Sequence, residues 1–282
     1  MIEVYNAITN IANDIEKNVF VDYDRFAQKD LSEEQIHDDI YKYCSDVIEK
    51  EFEYLKSVKG VIGKDKKQMC QINENGKYLV SFVAIDNIEL LDLNFSLGTI
   101  FSIYENSFEA SNLKAAIYIT YGPTFQLVFA SKDEGVKYFS NEHGEFIQQD
   151  SLELNEKGKI NSTAGKINEW DKKHKDLIKN FFDEGYRLRF SNSLALDTHH
   201  ILFKKGGIYS SPATITDQSG ILEVIFEAFP IAFILELAGG EAIDGKNRVL
   251  DIKTPELHQK TPIYFGSKYE IQTVLNTLQV AQ

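Results

Sequence analysis

The sequence contains little cysteine and no long uninterrupted hydrophobic run. Two cysteines, Cys44 and Cys70, occur in 282 residues, which is too few for a disulfide framework, and neither belongs to a Cys-x-x-Cys pair that could hold zinc. This cysteine content predicts a reduced, cytoplasmic protein. The most apolar later stretch, residues 224–238, is interrupted by two glutamates and a proline, so we expect no membrane span.

Positive charge is also scarce. The chain has 30 Lys and Arg against 43 Asp and Glu, a net charge of −13. Nonspecific binding to nucleic acid or to an anionic membrane needs a basic surface, so we expect neither partner. The hydrophobic content of 43% and the charged content of 26% are typical of a soluble globular protein.

The hydrophobic pattern predicts helices followed by strands in the first half. Apolar residues at helical spacing predict a helix over residues 2–17, and Ser32 is the expected N-cap of a second helix that ends near Leu55. Alternating apolar residues predict strands over residues 58–63, 78–83, 95–104, 115–121, 125–130 and 136–140.

The second half begins after a polar stretch at residues 150–165. We place a domain boundary there, which predicts an N-terminal α+β domain at residues 1–150 and a C-terminal α/β domain at residues 151–282. An amphipathic helix is predicted over residues 170–183. Glycines then separate alternating helices and strands, a pattern typical of an α/β domain.

The segment at residues 78–105 carries the most informative motif. A strand enters an acidic turn that contains Asp86, Glu89 and Asp92, and a second strand follows with Leu-Gly-Thr-Ile-Phe at residues 97–101. This arrangement resembles the central motif of the class I fructose-1,6-bisphosphatases, in which a strand runs into Asp-Pro-Leu-Asp-Gly-Ser-Ser and on into a Val-Gly-Thr-Ile-Phe-type strand.

Further blocks extend the resemblance over nearly the whole chain from about residue 38. Those near the C-terminus follow the family in order and spacing: Phe226-Glu227, Ala238-Gly239-Gly240, Leu250-Asp251-Ile252 and Leu257-His258-Gln259. The resemblance implies an α/β fold, a layered α-β-α-β-α sandwich of the sugar phosphatase type. It also implies an oligomer.

The residues that would carry the family's chemistry are mostly replaced. Family members hydrolyse a sugar phosphate with divalent metals, which clamp the attacking water and the leaving oxygen and need converging carboxylates. The central motif reads Val-Ala-Ile-Asp-Asn-Ile-Glu at residues 83–89, so only Asp86 remains. The family's Glu-Glu pair falls at Lys64-Asp65, its two early aspartates fall at Gln35 and Tyr41, and its late glutamate is kept as Glu227.

The phosphate-binding positions have changed as well. A Gly-Lys-Leu-Arg segment of the family reads Gly-Ile-Leu-Glu at residues 220–223, and its Tyr-Pro reads Ser211-Pro212. Apolar and acidic residues there disfavour a phosphate. Arg189 keeps the position of an arginine that reaches a neighbouring subunit's site in the family, so it is a candidate substrate-binding or interface residue.

These replacements predict a catalytically inactive paralogue, a pseudoenzyme with an interaction or regulatory role. We expect no intact catalytic or metal site and no cofactor, with Asp65, Asp86 and Glu227 as remnants. The Lys64 ammonium would take part of the vacated metal volume and pair with them, since carboxylates left together without a cation are costly. Lys64 could instead be a solvated charge in its turn. The expected partners are further copies of the chain or an active paralogue.

Two alternatives stay open. The chain could be a divergent sugar-phosphate phosphatase with a rebuilt site that holds one Mg or Mn on Asp65, Asp86 and Glu227. The cleft could also bind a different, less phosphorylated ligand. A sugar phosphate is a possible ligand under the first alternative.

Overall fold

The computed structural model describes residues 1–26, 31–254 and 256–279. The α-helices are α1 Ile2–Ile15, α2 Glu33–Phe52, α3 Lys172–Asp183, α4 Leu194–Phe203, α5 Phe229–Leu237 and α6 Lys268–Gln279, and π-helical turns cover Glu16–Val21 and Val224–Ala228. The strands are β1 Val58–Gly63, β2 Cys70–Gln71, β3 Tyr78–Asp86, β4 Leu97–Glu105, β5 Leu113–Tyr121, β6 Gln126–Ser131, β7 Gly135–Glu142, β8 Glu145–Ser151, β9 Ile160–Thr163, β10 Arg187–Leu188, β11 Ile208–Ser211, β12 Leu222–Glu223, β13 Glu241–Ile243, β14 Lys260–Thr261 and β15 Ile263–Gly266.

The two N-terminal helices form as the sequence predicts. The apolar stripe of α1 is fully buried. Helix α2 begins after Ser32, whose hydroxyl accepts from the Gln35 N–H while the Gln35 side chain accepts from the Ser32 N–H. This reciprocal pair is a capping box, which satisfies two backbone donors at the helix start. The predicted N-cap is confirmed.

Among the described residues, strands form a larger sheet in the order β2-β1-β3-β4-β5-β6-β7-β8. Strands β1 and β3 run parallel and the other neighbours run antiparallel. Side chains are buried along nearly all of β3 and β4, because helices cover both faces of the sheet at this point. The predicted strands of the first half are present, with ends shifted by a few residues.

A smaller sheet has the order β10-β9-β11-β15-β13. Strand β9 lies inside the stretch that we read as a polar boundary, and its first residues are buried. The sequence failed to predict β9 because Ile160 is followed by Asn161, Ser162 and Thr163, which give no apolar alternation.

The two sheets and the helices form five layers. Helices α1 and α2 pack with the larger sheet on one face, α4 and α5 lie between the sheets, and α3 and α6 pack on the outer face of the smaller sheet. This is the predicted α-β-α-β-α sandwich. The central core cluster joins residues from both sides of position 150.

Helix α5 is almost entirely apolar because it is buried between the sheets. Every residue from Phe229 to Leu235 is buried, and Pro230 occupies the first turn, where its missing N–H costs no hydrogen bond. Nowhere in the described ranges is a helix long and apolar enough to cross a membrane.

Candidate functional site

A cavity of about 580 Å³ opens between the end of β3, the turn after β1, the start of α4 and the π-helical turn at Val224–Ala228. In the described part of the chain its charged lining comprises one ammonium and five carboxylates: Lys64, Asp65, Asp86, Glu89, Glu223 and Glu227. Apolar side chains share the wall: Val83, Ile85, Ile88, Ile221 and Leu222. The cavity is therefore acidic and partly apolar.

A β-bulge turns Asp86 toward this cavity. The pairing of β3 with β4 shifts register between Val83 and Asp86, so that Ala84 and Ile85 together oppose Thr99. Successive strand residues alternate between faces, and one extra residue reverses the face of everything beyond it. Ala84 and Ile85 thus both join the core on the α1/α2 side, while Asp86 faces α4.

Asp86 is tied to the first turn of α4. Its Oδ2 accepts from the Ser193 hydroxyl at 2.7 Å and from the Ala195 N–H at 2.8 Å. Burial raises the pKa of Asp86, while these hydrogen bonds and the nearby Lys64 ammonium oppose the rise. The carboxylate therefore acts as a second cap for α4, beside Ser193, which caps the Leu196 N–H.

Glu227 is 3% exposed and has a partner on each carboxylate oxygen. Oε1 lies 2.7 Å from Lys64 Nζ, and Oε2 accepts from the Glu223 N–H at 2.8 Å. Burial lowers the pKa of Lys64, but the Glu227 carboxylate outweighs it and the net pKa is raised, so Lys64 is an ammonium. Burial raises the pKa of Glu227, and the ammonium opposes that rise.

The backbone of the π-helical turn is anchored to the larger sheet. The Ile225 carbonyl accepts from the hydroxyls of Ser81 at 2.9 Å, Ser102 at 3.3 Å and Tyr104 at 2.9 Å. These donors lie on β3 and β4 and are buried. The sheet therefore fixes the turn that presents Glu227.

Asp65 borders the cavity but pairs elsewhere. Its Oδ2 lies 3.3 Å from Lys66 Nζ, and its side chain is 30% exposed. Tyr41, where the resemblance placed a lost aspartate, lines the cavity. Gln35, the other such position, belongs to the capping box of α2. Of the predicted site residues, the structure thus brings Lys64, Asp86 and Glu227 to the inner wall, with Asp65 at the edge.

Arg189 lies outside this cleft. Its guanidinium is exposed and donates to the carbonyl of Leu188 at 2.7 Å. It borders a separate cavity of about 590 Å³ that is also lined by Phe95, Phe190 and His199.

Sequence reasoning missed the link between Glu223 and His258. The sequence analysis used His258 only as part of a C-terminal block of the resemblance and Glu223 only as unfavourable for phosphate. In the structure, His258 Nδ1 lies 2.7 Å from Glu223 Oε2 and Nε2 lies 2.9 Å from the Lys66 carbonyl oxygen. These partners are 35 and 192 residues away in sequence, so no local pattern could have indicated them.

As they lie, the cleft residues do not fit a divalent metal. Such a metal needs several free oxygen ligands, but both Glu227 oxygens are engaged and Asp86 Oδ2 already accepts two hydrogen bonds. Across residues 1–26, 31–254 and 256–279, no three or more His, Cys, Asp or Glu side chains come together as a metal site. A metal here would have to displace Lys64.

Comparison with family models and with known proteins shows which family the sequence resembles. Residues 3–151 match the model for the fructose-1-6-bisphosphatase N-terminal domain and residues 154–279 match that for its C-terminal domain. The class 1 fructose-1,6-bisphosphatase of Campylobacter hominis is 45% identical over 227 residues, covering 80% of this chain and 81% of the relative. That of Campylobacter concisus is 39% identical over 274 residues, covering 95% of each.

This similarity corrects the prediction about cofactors. We expected none, but the class 1 fructose-1,6-bisphosphatases that the chain resembles are metal-dependent. The prediction is therefore wrong, and a metal ion is the cofactor that the relationship implies.

Solved structures agree with the sequence relationship. The holo form of Leishmania major fructose-1,6-bisphosphatase superimposes with a TM-score of 0.89 at 26% identity, covering 99% of this chain and 93% of that one. Its T-state gives a TM-score of 0.87 at the same identity and coverage. From the two domain models, the curated relatives and the shared layered fold, the chain belongs to the fructose-1,6-bisphosphatase family.

Proposed function

We propose that this protein acts by binding, as an interaction or regulatory member of its family, and that its cleft has lost sugar-phosphate hydrolysis. The observation that carries the proposal is the 2.7 Å contact between Lys64 Nζ and Glu227 Oε1. Metal-assisted hydrolysis needs a metal ion that can hold both the attacking water and the leaving group. A tethered ammonium already neutralises Glu227 here, and Asp86 is used to cap α4.

The charge of the cleft supports the same proposal. In the described residues, the carboxylates of Asp65, Asp86, Glu89, Glu223 and Glu227 face the cavity against a single lysine. A phosphate dianion would be repelled by this surface, because phosphate sites in proteins present Arg, Lys or backbone N–H donors. Asp65, Asp86 and Glu227 would then be remnants of a metal site.

A divergent sugar-phosphate phosphatase is the second candidate. The names of the relatives support it better than they support the first, since the curated proteins at 39–45% identity are called fructose-1,6-bisphosphatases. Asp65, Asp86 and Glu227 still border one cavity. If Lys64 swung out, these carboxylates would be the ligands available to a metal ion.

The test is phosphate release from fructose 1,6-bisphosphate with Mg²⁺ or Mn²⁺ titrated. The matched control is Asp86→Asn, which keeps an oxygen to accept from Ser193, and the Campylobacter jejuni relative serves as the positive control. We expect no metal-dependent release above the Asp86→Asn background. Turnover that requires metal and disappears in Asp86→Asn would overturn the first candidate and establish the second.

We propose further that the protein associates with a second copy or with an active paralogue through the surface around Arg189. Large apolar side chains are exposed there: Phe95 at 58%, Leu188 at 56% and Phe190 at 42%. Adjacent exposed apolar side chains mark interaction surfaces. Light scattering on the purified protein, alone and mixed with an active relative, should show a mass that Phe190→Ser lowers. An unchanged mass would remove this surface from consideration.

We also propose a cytoplasmic location and a division of the chain into two domains. Cys44 and Cys70 are both free thiols, which supports a cytoplasmic location. The two family models, which meet between residues 151 and 154, support domains at residues 1–150 and 151–282.

A further inference from the structure

The cleft keeps an excess of negative charge after Lys64 has paired with Glu227. Glu89 lines the cavity, is exposed, and its side chain takes part in no ion pair and no hydrogen bond among the described residues. Asp86 lies deeper, and the two hydrogen bonds that tie it to α4 come from neutral donors. A cation that enters the cleft would therefore find carboxylates that no other cation neutralises.

Apolar side chains occupy the same cavity beside these acids. Ile221 is 45% exposed, and Ile88, which precedes Glu89 in sequence, is partly buried. Val83 and Leu222 continue the apolar wall and are buried. A long basic side chain has the same division, because its methylene stem packs on apolar surface while its charged end seeks polar partners. The cleft is thus complementary to such a side chain along its length.

A buried hydroxyl adds a further polar group to the cavity. Tyr209 is 4% exposed and lines the cavity, and its hydroxyl makes no hydrogen bond to another lining residue in the described part of the chain. Burial, together with Asp197, Asp86 and Glu227, raises the pKa of Tyr209 well above its usual range, so the hydroxyl stays protonated. A hydroxyl oxygen also accepts hydrogen bonds, so it can accept one from an ammonium.

Lys64 shows that this surface holds an ammonium. Its Nζ lies 2.7 Å from Glu227 Oε1, and its side chain is 30% exposed. The cavity volume of about 580 Å³ is the space that remains with the Lys64 side chain in place. Ligand pockets commonly measure about 300–1,000 Å³. A second basic side chain therefore has room beside the first.

We propose that the cleft docks a basic side chain, lysine or arginine, of a partner protein. The inference rests on the proposed function and deepens it, because it names the chemistry of the partner that a binding protein would hold here. The stem lies against Ile88 and Ile221, and the cation meets Glu89 at the rim and Asp86 inside. Charge complementarity favours this occupant over an acidic or phosphorylated one.

Titration with the tripeptide acetyl-Leu-Lys-Leu-amide tests the docking. Its counterpart acetyl-Leu-norleucine-Leu-amide keeps an apolar stem and lacks the ammonium. With metal ions chelated by EDTA, the lysine peptide should shift the methyl NMR signals of Ile88 and Ile221 and leave that of Ile2, which is exposed on α1, unchanged. The norleucine peptide should bind about tenfold more weakly, as expected when a charge-assisted contact is lost.

Glu89→Gln and Glu74→Gln are matched variants. Both glutamates are exposed and each substitution removes one negative charge, but Glu74 is not part of the cavity lining. Glu89→Gln should weaken the lysine peptide about threefold, the size expected for a single exposed ion pair, and Glu74→Gln should leave its affinity unchanged. Ile221→Ser should weaken both peptides, because both use the apolar wall.

Equal affinity for the two peptides, or an equal loss in Glu89→Gln and Glu74→Gln, would overturn the docking, because the charge in the cleft would then not select the ligand. Pentylammonium binding as tightly as the lysine peptide would also overturn it, because the cleft would then take a free amine and not a partner's side chain. None of these measurements involves turnover. Metal-dependent phosphate release would remove the proposed function, whereas failed docking without turnover would remove only this partner chemistry.

Discussion

Lys64 and Glu227 are 163 residues apart in sequence, yet their side chains form an ion pair of 2.7 Å that joins the turn after β1 to the π-helical turn before α5. Glu227 is nearly inaccessible to water, whereas the lysine side chain is 30% exposed. A buried carboxylate depends on its partner, because removing one member leaves an uncompensated charge in a poorly solvated site.

Lys64→Met should therefore destabilise the protein by about 3 kcal/mol at neutral pH. The loss should shrink under acidic conditions, where Glu227 takes up a proton and no longer needs a cation. Urea unfolding at several pH values measures this effect. The double variant Lys64→Met with Glu227→Gln is the control, and it should recover part of the loss. If the single and double variants unfold alike, the two side chains are not coupled.

Restoring carboxylates should give the cleft affinity for a metal. Lys64→Glu with Val83→Asp removes the ammonium and adds two acids at positions that line the cavity with Asp86 and Glu227. Like charges should destabilise this variant without metal, and a divalent ion that binds the folded state should stabilise it, by about 2.7 kcal/mol at a concentration one hundred times the Kd. Thermal unfolding with and without Mn²⁺ measures the shift. The wild type should show a smaller shift, and an equal one would contradict the prediction.

Contact between β4 and α4 leaves no room for a side chain at Gly98. A Cβ placed there would lie 2.5 Å from the Ala195 Cβ. Gly98→Ala should therefore cost about 2 kcal/mol through overpacking, measured by urea unfolding. Adding Ala195→Gly removes the opposing methyl and should restore most of the stability, less about 1 kcal/mol for glycine in a helix. Additive losses in the double variant would show that the two positions do not touch.

Asp197 should make stability fall as pH rises. The carboxyl group is fully buried, its Oδ1 accepts from the Ser191 N–H, and its Oδ2 has no hydrogen-bond partner among the residues that the structure describes. Burial raises the pKa of Asp197 from 3.8 to about 7. The folded state therefore holds the proton more tightly than the unfolded state does, and this contribution is complete below about pH 4 and lost by about pH 7.

Comparison with Asp197→Asn isolates that contribution. The free energy of unfolding of the variant minus that of the wild type should increase between about pH 4 and pH 7 and then level off, by up to about 4 kcal/mol at 1.36 kcal/mol per pKa unit. The difference is needed because burial lowers the pKa of His174 and of His199 to about 4, which gives the opposite slope. A constant difference would mean that Asp197 stays ionised when folded.

Local patterns predicted much of the first half of the fold. The stripe of α1, the Ser32 cap, strand β1 and the strands from β3 to β7 follow from spacing and alternation within short windows, whereas the two-residue strand β2 was not predicted. Strand β9 was missed because its buried residues are mostly polar and are accommodated by the surrounding fold. The backbone of β9 pairs with β10 and β11, which are separated from it in sequence, so a local pattern could not indicate this strand.

The site could be predicted in composition but not in geometry. The sequence analysis predicted Lys64, Asp86 and Glu227 as site residues, and the structure places all three in the lining of one cavity. It did not show that a bulge turns Asp86 toward α4, since the extra residue is visible only in the pairing of β3 with β4. Nor did it show the contacts of His258 with the Glu223 carboxylate and the Lys66 carbonyl, which join three separate segments of the chain.

The anchoring of the Ile225 carbonyl to the hydroxyls of the larger sheet separates the scaffold of the pocket from its chemistry. The backbone at Glu227 takes its position from the buried side chains of Ser81, Ser102 and Tyr104 on β3 and β4, which are not part of the cavity lining. Replacing the side chains that face the cavity therefore leaves these buried anchors of the backbone in place. Evolution can change such a pocket one residue at a time, and an old activity can be lost or a new one gained on a framework that never has to be rebuilt.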